Sequence, residues 1–377
     1  MSAATLSYPP VVVLLGGPSA EHDVSVVSGT AIASALADAG LEVRQVLIDL
    51  DGGWWWLPRE HRRGDRSAAA YDDPATLRGE GPHAVGEALD RLAGTNLAPV
   101  VFIALHGPFG EDGTVQALLE AAGVAYTGAG VLASALGMDK VVQKRIWRGQ
   151  GLPVVDWIEV RSATWAANQV GVLAQLEAFA AASAGGDPRL MVKPARLGSS
   201  VGMTLAHAAA ERASALELAF RYDDLAIVER YLANARDLEV SVIGTEVPLG
   251  IYGPGEIVAG HEFYDYAAKY TPGLSETSTR AEIPEATREL MRKLARDAYR
   301  SLGTEGFARI DFLVRDAEIY LSEINTIPGF TPISLFPTMP AEAGLDFTAV
   351  CLRILDLAIE RHARRSHRRL TPGDLPR

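Results

Sequence analysis

The N-terminal part of the chain alternates apolar, β-branched runs with a helix-spaced segment, and this alternation constrains the fold more than any other feature. Residues 11–15 are an apolar run that ends in the glycine turn Gly16-Gly17. Residues 24–36 are rich in alanine and have helical spacing, and residues 41–48 and 100–105 are further predicted strands. Strands and helices in this order are typical of a parallel sheet with crossover helices, so we predict an α/β fold.

Length and composition exclude several classes of protein. The 377 residues suffice for about two or three domains, and no apolar run approaches the ~18 residues that a membrane helix needs. No basic stretch precedes the first apolar run, so no secretory signal is expected. The single cysteine, Cys351, excludes an internal disulfide framework and fits a reducing cytoplasm. A formal net charge of −12 makes the chain a poor general binder of nucleic acid.

Lysine is rare in this chain, so each lysine is a candidate for a specific role. Five of the 35 basic residues are lysines, namely Lys140, Lys144, Lys193, Lys269 and Lys293. Lysine carries a compact charge on a flexible stem, which suits phosphate contact, and arginine does not replace it equivalently.

Near Gly137 the pattern changes to one that predicts antiparallel strands beside helices. Helices are predicted at residues 138–149, 284–302 and 341–364, strands at 190–194, 225–231, 237–244 and 247–252, and a hairpin at 307–314 and 319–324. Residues 51–95 are hard to assign, and their three consecutive tryptophans are interpreted as packing or as a partner contact. The basic segment 361–377 is interpreted as a frayed tail.

Polar residues of the predicted hairpin form the strongest candidate site. Alternation along a strand places Arg309 and Asp311 on one face, and Glu323 and Asn325 on one face of the neighbouring strand. Two carboxylates, a carboxamide oxygen and a cation would then converge, which suits Mg²⁺. The alternative is a solvated polar hairpin face, although the intervening residues are strongly apolar.

A glycine–serine loop after a predicted strand is a candidate phosphate site. Gly198 and Gly202 let the backbone approach an anion, Ser199 and Ser200 add hydroxyl donors, and Lys193 adds a positive charge. The order differs from that of a Walker phosphate loop, because the lysine precedes the glycines. A mobile loop without a ligand is the alternative.

Two residues near strand ends are weaker candidates. Glu21 follows the first glycine turn, where a carboxylate could bind an ammonium group or simply favour the start of a helix. His106 directly follows a predicted strand, where α/β sheets place ligands, although a lone histidine is more often structural. The glycine turn lacks the GxGxxG pattern, which weakens a nicotinamide-dependent oxidoreductase as an interpretation.

An aromatic run at residues 263–270 precedes a small, polar stretch that extends to residue 279. This arrangement predicts a loop able to close over a site, with core packing of the aromatic residues as the alternative.

Six ordered motifs together resemble the D-alanine–D-alanine ligases of the ATP-grasp superfamily. The motifs lie at residues 17–25, 104–114, 137–140, 192–203, 263–270, and 309–311 with 323–335. The resemblance implies a three-domain architecture, α/β in the N-terminal parallel-sheet domain and α+β in the ATP-binding part. The implied limits are 1–136 for the N-terminal domain, 137–231 for a central lid domain, 232–364 for the C-terminal domain, and 365–377 for a basic tail.

The resemblance also implies roles for individual residues. ATP phosphates would be held by Lys140, Lys193, Ser199, Ser200 and Lys269. Adenine and ribose would be bound by Glu229, Tyr231, Leu232, Asp237 and Phe263. Two Mg²⁺ ions, or Mn²⁺, would be held by Asp311, Glu323 and Asn325.

For the two D-alanine substrates, the resemblance implies a second set of residues. Glu21, with His106 nearby, would bind the first D-alanine, and Arg309 and the Gly329 amide would stabilise an oxyanion. The carboxylate of the second D-alanine would be bound by Ser334 and the amide of Leu335. A hydrogen-bonded link would close the loop over the site through Glu21, Ser199 and Tyr270.

The family resemblance implies a cytoplasmic homodimer that makes D-alanyl-D-alanine, a peptidoglycan precursor, by way of an acyl phosphate. Three alternatives stay open at this point: a ligase that uses D-lactate or another D-amino acid second, a non-catalytic nucleotide sensor, and the oxidoreductase. The tyrosine-rich loop that ends at Tyr270 favours D-alanine as the second substrate.

Overall fold

The computed structural model describes residues 8–94, 98–182, 187–245, 249–259 and 275–367. The strands are β1 (Val11–Gly16), β2 (Val43–Ile48), β3 (Trp54–Trp56), β4 (Glu80–His83), β5 (Val100–Ile103), β6 (Ala125–Tyr126), β7 (Trp157–Arg161), β8 (Leu190–Pro194), β9 (Thr204–Ala206), β10 (Leu225–Arg230), β11 (Arg236–Gly244), β12 (Gly250–Ala259), β13 (Ser275–Ser278), β14 (Gly306–Arg315) and β15 (Glu318–Asn325).

The helices of the described residues are α1 (His22–Asp38), α2 (Val85–Ala93), α3 (Thr114–Ala121), α4 (Val131–Met138), α5 (Lys140–Gly149), α6 (Ser162–Ala167), α7 (Gln169–Ala181), α8 (Arg212–Ala219), α9 (Glu285–Ser301), α10 (Leu335–Thr338) and α11 (Phe347–Ser366). Short 3₁₀ turns lie at Ala68–Tyr71, Ala209–Glu211 and Met339–Ala343. None of these helices is long and apolar enough to cross a membrane.

The first sheet has the predicted parallel centre and an antiparallel edge. Its strand order is β4-β3-β2-β1-β5-β6. Strands β2, β1, β5 and β6 run parallel, whereas β3 and β4 add in antiparallel orientation. The tryptophans 54–56, in the segment that was hard to assign, form β3. Trp54 and Trp56 are buried, which confirms that they serve packing.

Two antiparallel sheets contain the remaining strands of the described residues. The second sheet has the order β7-β10-β8-β9, and the third has the order β13-β12-β11-β14-β15. Strands β14 and β15 pair in the predicted hairpin, with Arg309 opposite Asn325 and Asp311 opposite Glu323. The α/β class with α+β sheets is thereby confirmed, whereas the proposed domain limits stay a prediction.

Three predicted element limits are wrong for local reasons. The helix predicted at residues 138–149 is interrupted at Asp139, whose side chain accepts hydrogen bonds from the amides of Val141 and Val142 and caps a new helix. The last helix begins at Phe347, because residues 339–343 form a separate 3₁₀ turn that ends at Gly344, with a φ of +82°, and Asp346 then caps the new helix. This helix continues to Ser366, so the interpretation of residues 361–366 as part of a frayed tail is wrong. Strand β12 continues to Ala259, beyond residue 252, because it pairs with both β11 and β13.

Helix α11 and the segment after β15 join the first and third sheets. Ile354 of α11 shares one buried cluster with Val11 of β1 and Phe307 of β14. Phe330 lies between the sheets, with ring centroids 5.9 Å from Phe102 and 6.1 Å from Phe307. This apolar packing fixes the backbone from Ile327 onward against the carboxyl ends of the first sheet.

Candidate active site

A cavity of about 780 Å³ lies among the three sheets and collects the candidate residues. Within the described part of the chain, it is lined by Glu21, His106, Lys140, Lys193, Ser199, Ser200, Glu229, Tyr231, Leu232, Asp237, Arg309, Asp311, Glu323, Asn325, Gly329, Ser334 and Leu335. The predicted site residues Phe263, Lys269 and Tyr270 lie outside the described residues.

The paired strands β14 and β15 bring the predicted polar residues together. Both guanidinium nitrogens of Arg309 that face Asp311, Nε and Nη2, donate to its carboxylate at 2.7 Å. The side-chain amide nitrogen of Asn325 donates to Asp311 Oδ2 at 2.9 Å. This leaves the carboxamide oxygen of Asn325 available as a ligand for a cation. The predicted convergence of these side chains on one face is confirmed.

Glu239 belongs to this cluster and was missed by the sequence reasoning. It stands opposite Asp311 on β11, and its Oε1 lies 3.2 Å from Arg309 Nε. Strand alternation from Asp237 could have placed it on the same face. Burial alone would lower the pKa of the Arg309 guanidinium, but Asp311 and Glu239 outweigh burial and hold this pKa well above its usual value.

The oxygen-rich cluster fits Mg²⁺ that is completed by substrate oxygens. No group of three or more His, Cys, Asp or Glu side chains in the described residues is arranged to hold a metal by itself. Asp311, Glu323 and Asn325 nevertheless offer carboxylate and carboxamide oxygens on one face, which are ligands that Mg²⁺ prefers. Lys140 Nζ lies 2.9 Å from Glu323 Oε2 and balances its charge.

The buried Lys144 and the partly buried Lys193 hold the carboxylate of Glu229. Lys193 Nζ lies 2.7 Å from Glu229 Oε2, and Lys144 Nζ lies 2.6 Å from Oε1. Burial raises the pKa of the Glu229 carboxyl, but the two lysines outweigh burial and lower that pKa to about 2. No role was predicted for Lys144. The only sequence feature that pointed to it is the rarity of lysine in this chain.

The loop between β8 and β9 meets the first sheet at Glu21. Ser199 and Ser200 adopt φ values of +49° and +57°, and the Ser199 hydroxyl donates to Glu21 Oε1. A Cβ atom on Gly198 would lie 2.8 Å from Glu21 Oε2, so a larger residue there would have to displace the Glu21 carboxylate or the loop. Lys140 Nζ also donates to the Leu197 carbonyl at 2.8 Å and joins α5 to the loop.

Glu21 presents an unsatisfied oxygen to the cavity. It stands just before α1 but makes no side-chain capping hydrogen bond, so helix capping does not explain it. The residue is 7% exposed, and its Oε2 has no hydrogen-bond partner among the described residues. A buried carboxylate oxygen without a partner costs free energy, and an ammonium group would satisfy it.

The two ring nitrogens of His106 join the backbone after β15 to helix α1. Its Nδ1 lies 2.7 Å from the Ile327 carbonyl oxygen, and its Nε2 lies 3.0 Å from Ser28 Oγ. Burial lowers the pKa of His106, which favours the neutral ring that donates at one nitrogen and accepts at the other. The structure thus places His106 beside the cavity with its ring nitrogens already bonded within the protein.

Glu111 holds the same backbone segment and was also missed. It accepts from the Gly107 amide at 3.0 Å and from the Ile327 amide at 3.3 Å. Burial and the negative charge of Glu21 raise the pKa of Glu111 to about 8. The motif that contains Glu111 was noted, but the partner, Ile327, is too distant in sequence to be inferred from it.

The remaining predicted residues also line the cavity. The Ser334 hydroxyl lies 2.8 Å from Thr331 Oγ1, and Leu335 begins α10. The Tyr231 amide donates to the Arg189 carbonyl at 3.3 Å, and the Leu232 carbonyl accepts from the Ala235 amide at 3.2 Å. Asp237 lies at the start of β11.

Two family models match most of the chain. The model described as D-ala D-ala ligase N-terminus matches residues 10–129, and the model described as D-ala D-ala ligase C-terminus matches residues 146–356. The D-alanine–D-alanine ligase of Chloroherpeton thalassium is 38% identical over 374 residues, which cover 96% of this chain and 99% of the relative. The D-alanine–D-alanine ligase of Kineococcus radiotolerans is 38% identical over 373 residues, which cover 94% of this chain and 97% of that relative.

Solved structures agree with these matches. The D-alanine–D-alanine ligase of Coxiella burnetii aligns with a TM-score of 0.77 at 30% identity and covers 96% of each chain. The VanG D-Ala:D-Ser ligase of Enterococcus faecalis aligns with a TM-score of 0.77 at 28% identity, over 93% of this chain and 99% of its own.

Proposed function

The chain belongs to the D-alanine–D-alanine ligase family, and we propose that it uses ATP to join two D-alanine molecules in the cavity among its three sheets. The product is D-alanyl-D-alanine, a peptidoglycan precursor. The observation that carries the proposal is the set of residues that line this one cavity. It combines lysines and oxygen ligands for a nucleotide with the unsatisfied carboxylate oxygen of Glu21, whose other oxygen accepts a hydrogen bond from Ser199 of the glycine–serine loop.

The reaction has two steps whose atoms balance. A carboxylate oxygen of the first D-alanine attacks the γ-phosphorus of ATP, which forms an acyl phosphate and releases ADP. The amine of the second D-alanine then attacks the acyl carbon, phosphate leaves with the bridging oxygen, and the nitrogen loses a proton. Because water would hydrolyse the acyl phosphate, the site must exclude water.

The nucleotide side of the cavity supplies charge and backbone contacts. Lys140, Lys193, Ser199 and Ser200 would hold the phosphates, with Lys269 reaching them from the aromatic segment. Adenine and ribose would contact Glu229, Tyr231, Leu232, Asp237 and Phe263. Asp311, Glu323 and Asn325 would hold two Mg²⁺ ions, or Mn²⁺, which neutralise phosphate charge when bound.

The amino-acid side of the cavity would bind the two substrates at separate points. Glu21 would accept the ammonium group of the first D-alanine. Arg309 and the Gly329 amide would stabilise the oxyanion that forms at the acyl carbon. His106 would act near the first substrate, where its hydrogen bond to Ile327 orients the turn that carries Gly329.

The second substrate and the closing loop complete the proposed site. Ser334 and the Leu335 amide would bind the carboxylate of the second D-alanine, since Leu335 begins a helix and its amide has no carbonyl partner within that helix. Glu21, Ser199 and Tyr270 would link the two loops that close over the site.

A second candidate differs only in the second substrate. VanG is named as a D-Ala:D-Ser ligase and shares this fold, so a D-hydroxy acid or another D-amino acid is the alternative. Competition between D-alanine and D-lactate or D-serine in one reaction separates the two, and we expect D-alanyl-D-alanine to dominate.

The assembly and the cellular site are proposed with the function. We expect a homodimer in the cytoplasm, with domains that meet near residues 136 and 231. Light scattering on protein that elutes from a size-exclusion column measures the mass of the assembly. A monomer mass would contradict the proposed dimer.

A substrate-dependence assay tests the function directly. Phosphate release from ATP should require both D-alanine and Mg²⁺. Chromatography should show one molecule of dipeptide for each phosphate released. Phosphate release that does not depend on D-alanine, or the absence of dipeptide, would contradict the proposal. ATP binding without either product would indicate the nucleotide sensor instead.

A further inference from the structure

Lys144 is a buried cation that the proposed chemistry leaves unused. It lies on α5, four residues after Lys140, so the two side chains project from one side of the helix. Lys140 lines the cavity, whereas Lys144 lies behind Glu229 and its side chain is 2% exposed. Its Nζ lies 2.6 Å from Glu229 Oε1.

Acidic side chains surround Lys193, so the charge that it presents to the cavity depends on what compensates them. Lys193 Nζ lies 2.7 Å from Glu229 Oε2, and the negative charges of Glu323 and Asp237 also act on this lysine. Lys144 adds a positive charge at the other oxygen of Glu229 and so compensates part of this negative charge. Burying a lysine is unfavourable for folding unless its charge compensates a negative charge or serves an interaction with an anion.

We propose that Lys144 is a positioning residue for ATP, which acts through Glu229. By holding one oxygen of this carboxylate, Lys144 prevents Glu229 from neutralising Lys193 fully and fixes the Glu229–Lys193 pair at the wall of the cavity. Lys193 thereby keeps a net positive field toward the phosphates. This inference rests on the proposed nucleotide site, and its chemical class of ligand is a nucleoside triphosphate.

A purely structural role is the competing explanation. In that case Lys144 would only tie α5 to β10, and its loss would lower thermal stability without selecting one substrate. The two explanations differ in the kinetic constants, because a field at the phosphate site acts on ATP and not on D-alanine.

Three substitutions test the inference in the full-length enzyme. Lys144→Met removes the charge and keeps most of the side-chain volume, and Lys144→Arg keeps the charge. Lys293→Met is the matched control, since Lys293 is 64% exposed on α9 and pairs with Asp297 at 2.9 Å. We expect Lys144→Met to raise KM for ATP about tenfold with KM for D-alanine and kcat within about twofold. Lys144→Arg should recover most of the ATP affinity, and Lys293→Met should match the wild type.

Direct binding keeps the test separate from the test of catalysis. Titration calorimetry with Mg²⁺ and ATP, without D-alanine, should show the same loss of affinity in Lys144→Met. If that variant does not fold, Lys144→Gln replaces it, because a carboxamide is able to donate to Glu229 but carries no charge. Equal changes in both KM values, or unchanged ATP affinity, would overturn the role of Lys144. A wild-type enzyme that binds ATP but makes no dipeptide would overturn only the proposed function.

Discussion

At the scale of single residues, the site depends on charges that compensate one another across elements. Alternation was enough to predict that Asp311 and Glu323 face the same side, because the two strands are adjacent in the chain. Lys144, Glu239 and Glu111 could not be assigned in this way. Each acts through a partner that is distant in sequence, and only the packing of the sheets brings them together.

Asp311 supplies the first residue-scale prediction. Asp311→Asn removes a negative charge from the proposed metal site but keeps an oxygen that can accept from Arg309. We expect kcat to fall roughly a hundredfold or more, because metal-dependent stabilisation of phosphoryl oxygens is lost. Steady-state kinetics with varied Mg²⁺ measures the effect.

The matched control for this substitution lies in the same hairpin. Asp316 is exposed at the turn and has a φ of +54°, which asparagine also tolerates. Asp316→Asn should leave turnover and thermal stability unchanged. Near-normal kcat in Asp311→Asn would refute its assignment as a metal ligand.

Glu111 supplies a prediction about pH. Its pKa in the folded protein is raised to about 8, so the folded state binds a proton more tightly than the unfolded state. Its contribution to stability is therefore present at low pH and is lost as pH rises from the ordinary carboxyl pKa through about 8.

Replacement of Glu111 by glutamine removes this titration. The Tm of Glu111→Gln minus the Tm of the wild type should be larger at about pH 9 than at about pH 6, because only the wild type acquires a buried charge as pH rises. Scanning calorimetry at both values measures the difference. Parallel curves for the two proteins would show that Glu111 does not titrate in this range.

At the scale of elements, sequence periodicity predicted β1, β8, β14, β15 and α9 closely, whereas element ends depended on tertiary contacts. The break at Asp139 follows from a capping hydrogen bond, and it orients α5 so that Lys140 reaches Glu323. Strand β3 was not predicted, because its three consecutive tryptophans show no alternation of apolar and polar residues. It belongs to the antiparallel edge of the first sheet.

The loop between β8 and β9 supplies the prediction at this scale. Gly198→Ala would place a methyl group 2.8 Å from Glu21 Oε2 and displace either the loop or the carboxylate. We expect kcat/KM for D-alanine to fall roughly tenfold to a hundredfold, because small displacements of reacting groups are costly. Gly86→Ala, which meets open space on α2, should leave activity unchanged. Equal activity in both variants would show that this contact does not position Glu21.

At the scale of the whole molecule, the cavity exists because the first and third sheets share a core. Helix α11 and Phe330 join them, and the segment from Ile327 is held by His106 and Glu111 of the N-terminal part. Of the residues named at this junction, the family resemblance gave a role only to His106, and the net charge of −12 did not indicate a site for polyanionic ATP. Local lysines in an acidic chain explain how such a site can form.

Oxygen transfer between the substrates tests the central claim most directly. With D-alanine labelled by oxygen-18 in its carboxylate, the acyl phosphate route moves a labelled oxygen into the released phosphate. Mass spectrometry should therefore find one labelled oxygen in each phosphate, in equal amount with the dipeptide. Unlabelled phosphate from labelled D-alanine would mean that water, and not the substrate carboxylate, attacks ATP, and would contradict the account.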